Sequence, residues 1–410
     1  MSSIDIPVNT KAELFQKLRG NEHIVIYGAG YIGQLLFKEC RELNLSVICF
    51  ADDDTDIIGT EICGVKVLQT QEAAKQYPFA NYLISMRVYI PYAYKLQSVG
   101  IRNIFGGGIL FEDFDFKTFK KDGIMAKSFA RILYCHEVHK YVPSKEEHFL
   151  IPDCLIHVIT DICNLKCRNC NQFLPYLTHK KGDVPAEKIL YELKTLLRYV
   201  DYFPLYDFMG GETFMHKELN IILKEALKEK KIGRIQLATN GTLLPQPKLA
   251  EVLSDDRISL LISDYGKAST QLDLLCDFCE KNGIDYFVAS WKDWGLCSYP
   301  KKHNRSSEEH LQNFNNCSSR FRTNYHNGKL YRCGSQVYAY DRINEVPNIA
   351  EDYIDIQKMN RDGLEIDLVK NKIFEYLTSQ SPLKLCDYCT LGQCDTVPPG
   401  EQKKRCYDKN

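Results

Sequence analysis

The chain has 410 residues, of which 44% are hydrophobic and 26% charged, and its formal net charge is −1. That composition predicts a globular protein of roughly two to four domains. The balanced charge gives no footing for general nucleic-acid or membrane-surface binding. The opening "MSSIDIPVNTKAELFQKLRG" scatters charge and lacks an apolar signal core. No run approaches the roughly 18 apolar residues of a spanning helix, so the expectation is a cytoplasmic protein. Seventeen cysteines exceed what packing needs, and without an export signal they point to metal rather than disulfides. Cys40, Cys49, Cys63, Cys135 and Cys154 sit among apolar residues and are expected to be buried thiols.

Residues 23–27, "HIVIY", read as a strand, and "GAGYIG" follows at once. "QLLFKECRELN" then has helical apolar spacing, and "LSVICFADDD" is a second strand ending in acids. This β-α-β unit places Gly28, Gly30 and Gly33 in its first turn, where a helix N-terminus can receive a phosphate. Asp53, within the triplet 52–54, is the candidate partner for a ribose hydroxyl. A domain that keeps this turn and binds nothing is the alternative. The pattern from "IVIYGAGYIG" through "GVKV" resembles the small Rossmann-like domain at the front of bacterial sugar acyltransferases and other polysaccharide-biosynthesis enzymes. In those acyltransferases the domain holds the nucleotide of a nucleotide-sugar. Residues 1–115 are assigned to this domain and 116–150 to a connector with a helix at "AKSFARILYCHEV".

From residue 154 strands and helices alternate. "CLIHVIT", "YDFMGGE", "RIQLATNG", "ISLLISDYG" and "DYFVAS" are strands; the stretches between them carry helical periodicity. Pro185 opens the first helix, with Asp183 as candidate N-cap. The alternation predicts a parallel sheet curled into a partial (β/α)6 barrel over residues 151–300. The ends of the strands that carry chemistry in such folds hold the cysteine loop, "GGET", "TNG" and "SDYG".

The loop "CNLKCRNC" brings Cys163, Cys167 and Cys170 close together. A helix with a cysteine stripe and a zinc site borrowing His179 are the alternatives to a three-thiolate iron–sulfur site. The CxxxCxxC spacing resembles the radical SAM superfamily. That resemblance implies a 4Fe–4S cubane with one open iron that binds S-adenosylmethionine and, once reduced, yields a 5′-deoxyadenosyl radical. It also implies that Gly210, Gly211 and Glu212 of "GGET" receive the methionine ammonium group. Asn240, Ser263 and Asp264 become candidate cofactor contacts, although capping and turn formation explain them equally. The family's aromatic residue before the third cysteine is replaced here by Asn169, with Phe173 or Tyr176 as substitutes.

A second cysteine set lies toward the C-terminus. Cys317 precedes Gly328, Cys333 follows it, and "CDYC" supplies Cys386 and Cys389. A hairpin turning at Asn327–Gly328 brings the first two together. The spacing resembles the SPASM and twitch extensions, which implies one auxiliary 4Fe–4S cluster on Cys317, Cys333, Cys386 and Cys389 in a small cysteine-rich α+β domain, residues 301–410. Zinc is the alternative, and Cys394 and Cys406 are spares or a partial second site. Cys276 and Cys279, spaced i, i+3 on a helix, are expected in the core.

The expected function is radical SAM chemistry on a small-molecule substrate, a nucleotide-sugar or related carbohydrate precursor. The electron donor would be flavodoxin or ferredoxin; no nucleic-acid or membrane partner is expected. A SPASM-type peptide- or protein-modifying enzyme and a non-catalytic electron-transfer protein are the rival readings.

Overall fold

The computed structural model describes residues 10–20, 23–86, 89–112, 150, 152, 154–177, 182–290, 293–297, 299–317, 322–379, 381–393 and 395–403. The connector helix, Cys135, His179, Cys394 and Cys406 fall outside them. The chain divides into two units, Met1–Asp153 and Cys154–Asn410.

The first unit begins with helix α1 (Lys11–Arg19), capped by the Thr10 hydroxyl, which accepts from Glu13 N at 3.2 Å. Strand β1 (Ile24–Tyr27), helix α2 (Tyr31–Glu42), strand β2 (Val47–Asp52), hairpin β3 (Glu61–Ile62) and β4 (Val65–Gln69), helix α3 (Thr70–Gln76), strand β5 (Asn81–Ile84), helix α4 (Tyr89–Ser98) and strand β6 (Ile104–Gly106) follow. The sheet order is β3-β4-β2-β1-β5-β6, parallel except for β3. Strand alternation gives it two apolar faces. Ile24, Ile26, Phe50 and Leu83 pack against Leu36 and Phe37 of α2, while Val25, Cys49 and Tyr82 share the other face with Ala73 and Ala93 of α3 and α4. Cys40 and Cys49 are buried as expected, but Cys63 is exposed. It occupies the β3–β4 turn with Gly64, both at positive φ (56° and 82°), and a two-residue hairpin turn projects its side chain outward.

The second unit is built on one eight-stranded sheet. Its elements are β7 (Cys154–Thr160), α5 (Ala186–Leu197), β8 (Phe203–Gly210), α6 (Leu219–Ala226), β9 (Ile232–Thr239), α7 (Pro247–Leu253), β10 (Ile258–Asp264), α8 (Leu272–Lys281) and β11 (Asp285–Ser290). A short strand β12 (Trp294–Gly295), α9 (Ser307–Asn316), β13 (Thr323–His326), β14 (Lys329–Tyr331), α10 (Gln336–Arg342), β15 (Tyr353–Asp355), α11 (Ile356–Arg361), α12 (Ile366–Thr378) and β16 (Thr396–Val397) complete it. The order is β11-β10-β9-β8-β7-β13-β14-β15, and the sheet does not close. Five parallel strands run in sequence order from β7 to β11. The sixth parallel strand is β13, which joins the opposite edge beside β7. The cysteine-rich segment thus extends the sheet of the preceding region. Asn327 and Gly328 turn the β13–β14 hairpin at φ of 50° and 73°.

Two local expectations change. Asp183 does not cap α5: Pro185 occupies the N-cap position, and Ala186 N donates instead to Glu218 Oε2 at 3.1 Å. Asp183 Oδ1 accepts from the Thr160 hydroxyl at 2.8 Å, pinning the segment before α5 to the end of β7. Cys154 is only half-buried, at the start of β7. Cys276 and Cys279 are buried in α8. Among the described residues, no helix is long and apolar enough to cross a membrane.

Candidate functional site

Strand β7 runs straight into the cysteine loop, and the end of β8 is zipped against its exit. Gly211 N donates to Thr160 O at 2.9 Å and Glu212 N to Ile162 O at 2.8 Å. The approach leaves no room for side chains. A Cβ on Gly210 would lie 2.2 Å from Thr160 O, and one on Gly211 would lie 2.0 Å from Ile162 O and 3.0 Å from Cys163 Cβ. Both glycines are therefore required where the backbone ledge meets the first cysteine.

Glu212 does not open onto that ledge. It is fully buried, and its Oε1 accepts from Phe214 N (3.1 Å) and the Thr239 hydroxyl (2.8 Å), its Oε2 from Asn240 N (2.7 Å). Burial holds its carboxyl above the usual range, against the pull of these three bonds. The side chain ties the end of β8 to the end of β9. Asn240, positioned by it, donates from Nδ2 to Asn164 Oδ1 at 3.0 Å and reaches Cys163 Sγ at 3.8 Å. Ser263 and Asp264 sit at the end of β10. Asp264 accepts from Gly266 N in the turn (2.8 Å) and from Ser290 Oγ at the end of β11 (3.1 Å), and Ser263 O accepts from Ser269 Oγ (2.9 Å).

Two elements of the rim escaped sequence reasoning. The segment 400–403 clamps the cysteine loop: Cys167 and Gln402 form an antiparallel bridge, Arg168 N donates to Glu401 O, and Gln402 Nε2 donates to Cys167 Sγ at 3.3 Å. A contact spanning 235 positions leaves no local signal. Tyr265, which follows Asp264, feels all three loop thiols and stands edge-on to Trp294 at 5.0 Å. Its signal was present in "SDYG" but unweighted. Phe173 is buried at positive φ, and the Tyr176 hydroxyl donates to Arg168 O at 2.9 Å.

The second set lies in the same unit. Cys317 ends α9, Cys333 follows β14, and Cys386 and Cys389 sit in and just after a 3-10 turn, Lys384–Tyr388. Arg305, nearly buried, grips both cysteines of "CDYC" through their carbonyls, Nη1 to Cys386 O at 2.8 Å and Nη2 to Cys389 O at 3.0 Å. Asn313 Nδ2 adds a bond to Cys386 O at 3.1 Å. Cys297, unassigned from sequence, is buried and lies in the fields of Cys389, Cys170, Cys333 and Cys317.

The thiols of Cys163, Cys167 and Cys170 are the donor type that an iron–sulfur cluster takes. Burial, reinforced by mutual repulsion, pushes the Cys163 thiol to about 12 and Cys167 to about 11. Burial with the field of Cys317 raises Cys333 to about 11, and burial with Cys333 raises Cys389 to about 12. Thiols so arranged repel one another as thiolates unless a cationic core lies among them. Among the described residues, no three or more His, Cys, Asp or Glu converge on a single ion. A cubane asks for less convergence, because each thiolate holds its own iron.

In the first unit, Gly28 turns at φ +102°, and a Cβ on Gly33 would lie 1.9 Å from Gly28 O, so α2 packs directly on the turn. Gly30 faces open space. The acid facing this turn is Asp52, whose Oδ2 accepts from Ala29 N at 2.8 Å. Asp53 is engaged elsewhere, with Lys95 Nζ at 2.6 Å and the Thr70 hydroxyl at 2.8 Å. Burial opposes its ionisation, but Lys95 and Thr70 hold it below the ordinary carboxylate range.

Residues 157–264 match the Radical SAM superfamily, and with the cysteine loop this segment is a radical SAM domain. The chain thus carries a radical SAM domain, the kind of enzyme domain whose cofactors are a 4Fe–4S cluster and S-adenosylmethionine. Among solved structures it is similar to Streptococcus suis SuiB bound to S-adenosylmethionine, at 15% identity over 79% of this chain and 88% of that one, TM-score 0.31. It is similar to BtrN in complex with AdoMet and 2-DOIA at 15% identity, covering 63% and 98%, TM-score 0.36. It is similar to anSMEcpe with bound AdoMet at 15% identity, covering 58% and 89%, TM-score 0.33. No curated protein matched the chain.

Proposed function

We propose that Cys163, Cys167 and Cys170 hold the cubane, and that S-adenosylmethionine lies across the rim with its methionine end on the Gly210–Gly211 ledge. The observation that carries this is the contact of Gly211 with the first cysteine, where a Cβ would meet Cys163 Cβ at 3.0 Å. The N–H groups of Gly211 and Glu212 are already used, so the ledge offers carbonyl oxygens, acceptors suited to an ammonium group. Glu212 acts through its neighbours, holding Asn240 beside Cys163. Gln402 donates to Cys167 Sγ, which favours the thiolate form. Held there, the cluster and S-adenosylmethionine would supply hydrogen-atom abstraction, one electron from the reduced cluster breaking the sulfonium C5′–S bond with methionine as the leaving group.

Cys317, Cys333, Cys386 and Cys389 are read as ligands of an auxiliary cluster in a twitch-like domain, with Arg305 fixing the spacing of the last two. The first unit is read as a Rossmann-like nucleotide-binding domain. Its support is the turn in which Gly28 and Gly33 pack tightly while Gly30 stays open. Together these favour a nucleotide-sugar or related carbohydrate precursor as substrate. Because Asp53 is paired with Lys95, Asp52 is the nearer acid to the glycine turn.

Anaerobically reconstituted full-length protein should form 5′-deoxyadenosine on reduction. No cleavage with the loop cluster loaded would overturn the enzymatic reading. Nucleotides and nucleotide-sugars should raise the melting temperature of the first unit within the full chain. A flat response would favour a peptide substrate instead.

A further inference from the structure

Strand register places one layer of side chains on the inner face of the second sheet. Ile156, Asp207, Gln236, Ser259 and Asp285 align across β7, β8, β9, β10 and β11, and Asn324 of β13 pairs beside Ile156. The neighbouring residues on these strands identify the opposite face. His157 bonds Tyr206 and Glu192 of α5, and the Tyr325 hydroxyl donates to Glu192 O, all on the helix side. Asp207 and its layer therefore point inward. They lie three residues back from Gly210, roughly 10 Å beneath the rim at the usual strand rise.

Inner layers of such sheets are ordinarily filled with branched apolar residues. Val158, Met209, Leu261 and Phe287, one step nearer the rim, follow that rule. The deeper layer does not, since Ile156 is its one apolar member. Most of its polar groups are paired: Arg234 donates to Ser259 Oγ at 3.2 Å and pairs with Asp285, and Gln236 Nε2 approaches Asp207 Oδ2 at 3.4 Å. Among the described residues Asp207 Oδ1 has no hydrogen-bond partner, although the residue is only 3% exposed. The Arg322 charge acts on it only through space. A buried carboxylate oxygen with nothing to accept is costly and calls for an explanation.

We propose that Asp207 Oδ1 is the anchor for a hydrogen-bond donor of the substrate, a hydroxyl or ammonium group on a polar small molecule seated beneath the rim. The inference rests on the radical SAM reading and narrows its substrate to one that brings a donor into the sheet's interior. An apolar peptide side chain placed there would leave the oxygen unpaired and would be rejected for that reason.

The experiment uses full-length protein, reconstituted and saturated with S-adenosylmethionine, at pH 8. D-glucosamine and myo-inositol serve as probes in thermal denaturation. At least one probe should raise the wild-type melting temperature. Asp207→Asn and Asp207→Leu should each need at least tenfold more probe for the same rise, while melting higher than wild type without probe. The inference is overturned if no probe stabilises the wild type or if the variants respond equally. It is equally overturned if both variants melt lower without probe, as loss of a partnered structural acid requires. Failure of the wild type to form 5′-deoxyadenosine is a separate result, which would strike the radical SAM reading and leave the probe response to decide on Asp207.

Discussion

Replacing Glu212 by glutamine keeps the side chain's size but exchanges one acceptor oxygen for an NH2 group. Three donors converge on the carboxylate: Phe214 N, the Thr239 hydroxyl and Asn240 N. In either amide orientation at least one of them faces another donor, and the surviving bonds become neutral ones. A hydrogen bond to a charged group contributes roughly 1.5–3 kcal/mol. Relief of the buried charge returns part of that, so the net loss should be about 2–3 kcal/mol. For a unit of this size the melting temperature should fall by roughly 4–10 °C. Calorimetry of the full chain should locate the change in the transition of the second unit. Release of Asn240 N also loosens the side chain that reaches Asn164 and Cys163. A displacement of about 1 Å there should lower 5′-deoxyadenosine formation by about 100-fold. If Glu212→Gln melts within about 2 °C of wild type and turns over normally, the assignment of Glu212 as the tie between β8 and β9 is wrong.

Gly211→Ala must push its Cβ away from Ile162 O, so it should destabilise by about 1–3 kcal/mol and weaken S-adenosylmethionine binding, measurable by calorimetric titration. Changing Cys163, Cys167 and Cys170 together to alanine should lower iron from about eight to about four per chain, at four per cubane; a fall to zero would count against the auxiliary site. Arg305→Met should lose the clamp on Cys386 and Cys389, with iron content dropping toward about four while the loop cluster's spectroscopic signal persists. Burial moves Asp207 from its ordinary 3.8 to about 7. Because the folded-state value is raised, its contribution is most favourable below about pH 4 and is lost as pH rises to about 7. At about 1.4 kcal/mol per tenfold in proton affinity the loss approaches roughly 4 kcal/mol. The difference between wild type and Asp207→Asn in urea unfolding should grow across that window, and a pH-independent difference would refute the burial argument.

Much of the second unit was legible because its strands are short apolar runs separated by helices of clear period. "CLIHVIT" and "DYFVAS" coincide with β7 and β11, and the Asn327–Gly328 turn is stated by two residues that tolerate positive φ. Where local pattern and tertiary demand diverged, tertiary demand won. Asp183 has a capping residue's chemistry, but the Thr160 hydroxyl was the nearer partner once β7 and the segment before α5 met. Cys63 sits among apolar neighbours in sequence, yet the hairpin turn directs it to solvent. The acid triplet 52–54 announced a carboxylate near the glycine turn; only the positions of Lys95 and Thr70 separated Asp52 from Asp53.

The sequence by itself determined the cysteine spacings, the glycine pairs and the alternation of strands and helices, since these depend on covalent spacing and local period. The tertiary structure decided that β13 would extend the sheet at the edge beside β7, that residues 400–403 would close over the cysteine loop, and that Glu212 would serve its neighbours from within. It also decided that Asp207, one residue in an ordinary strand, would face inward with an oxygen that has no partner among the described residues. Each of these depends on which distant segments meet, and strand alternation alone does not say which face becomes the interior.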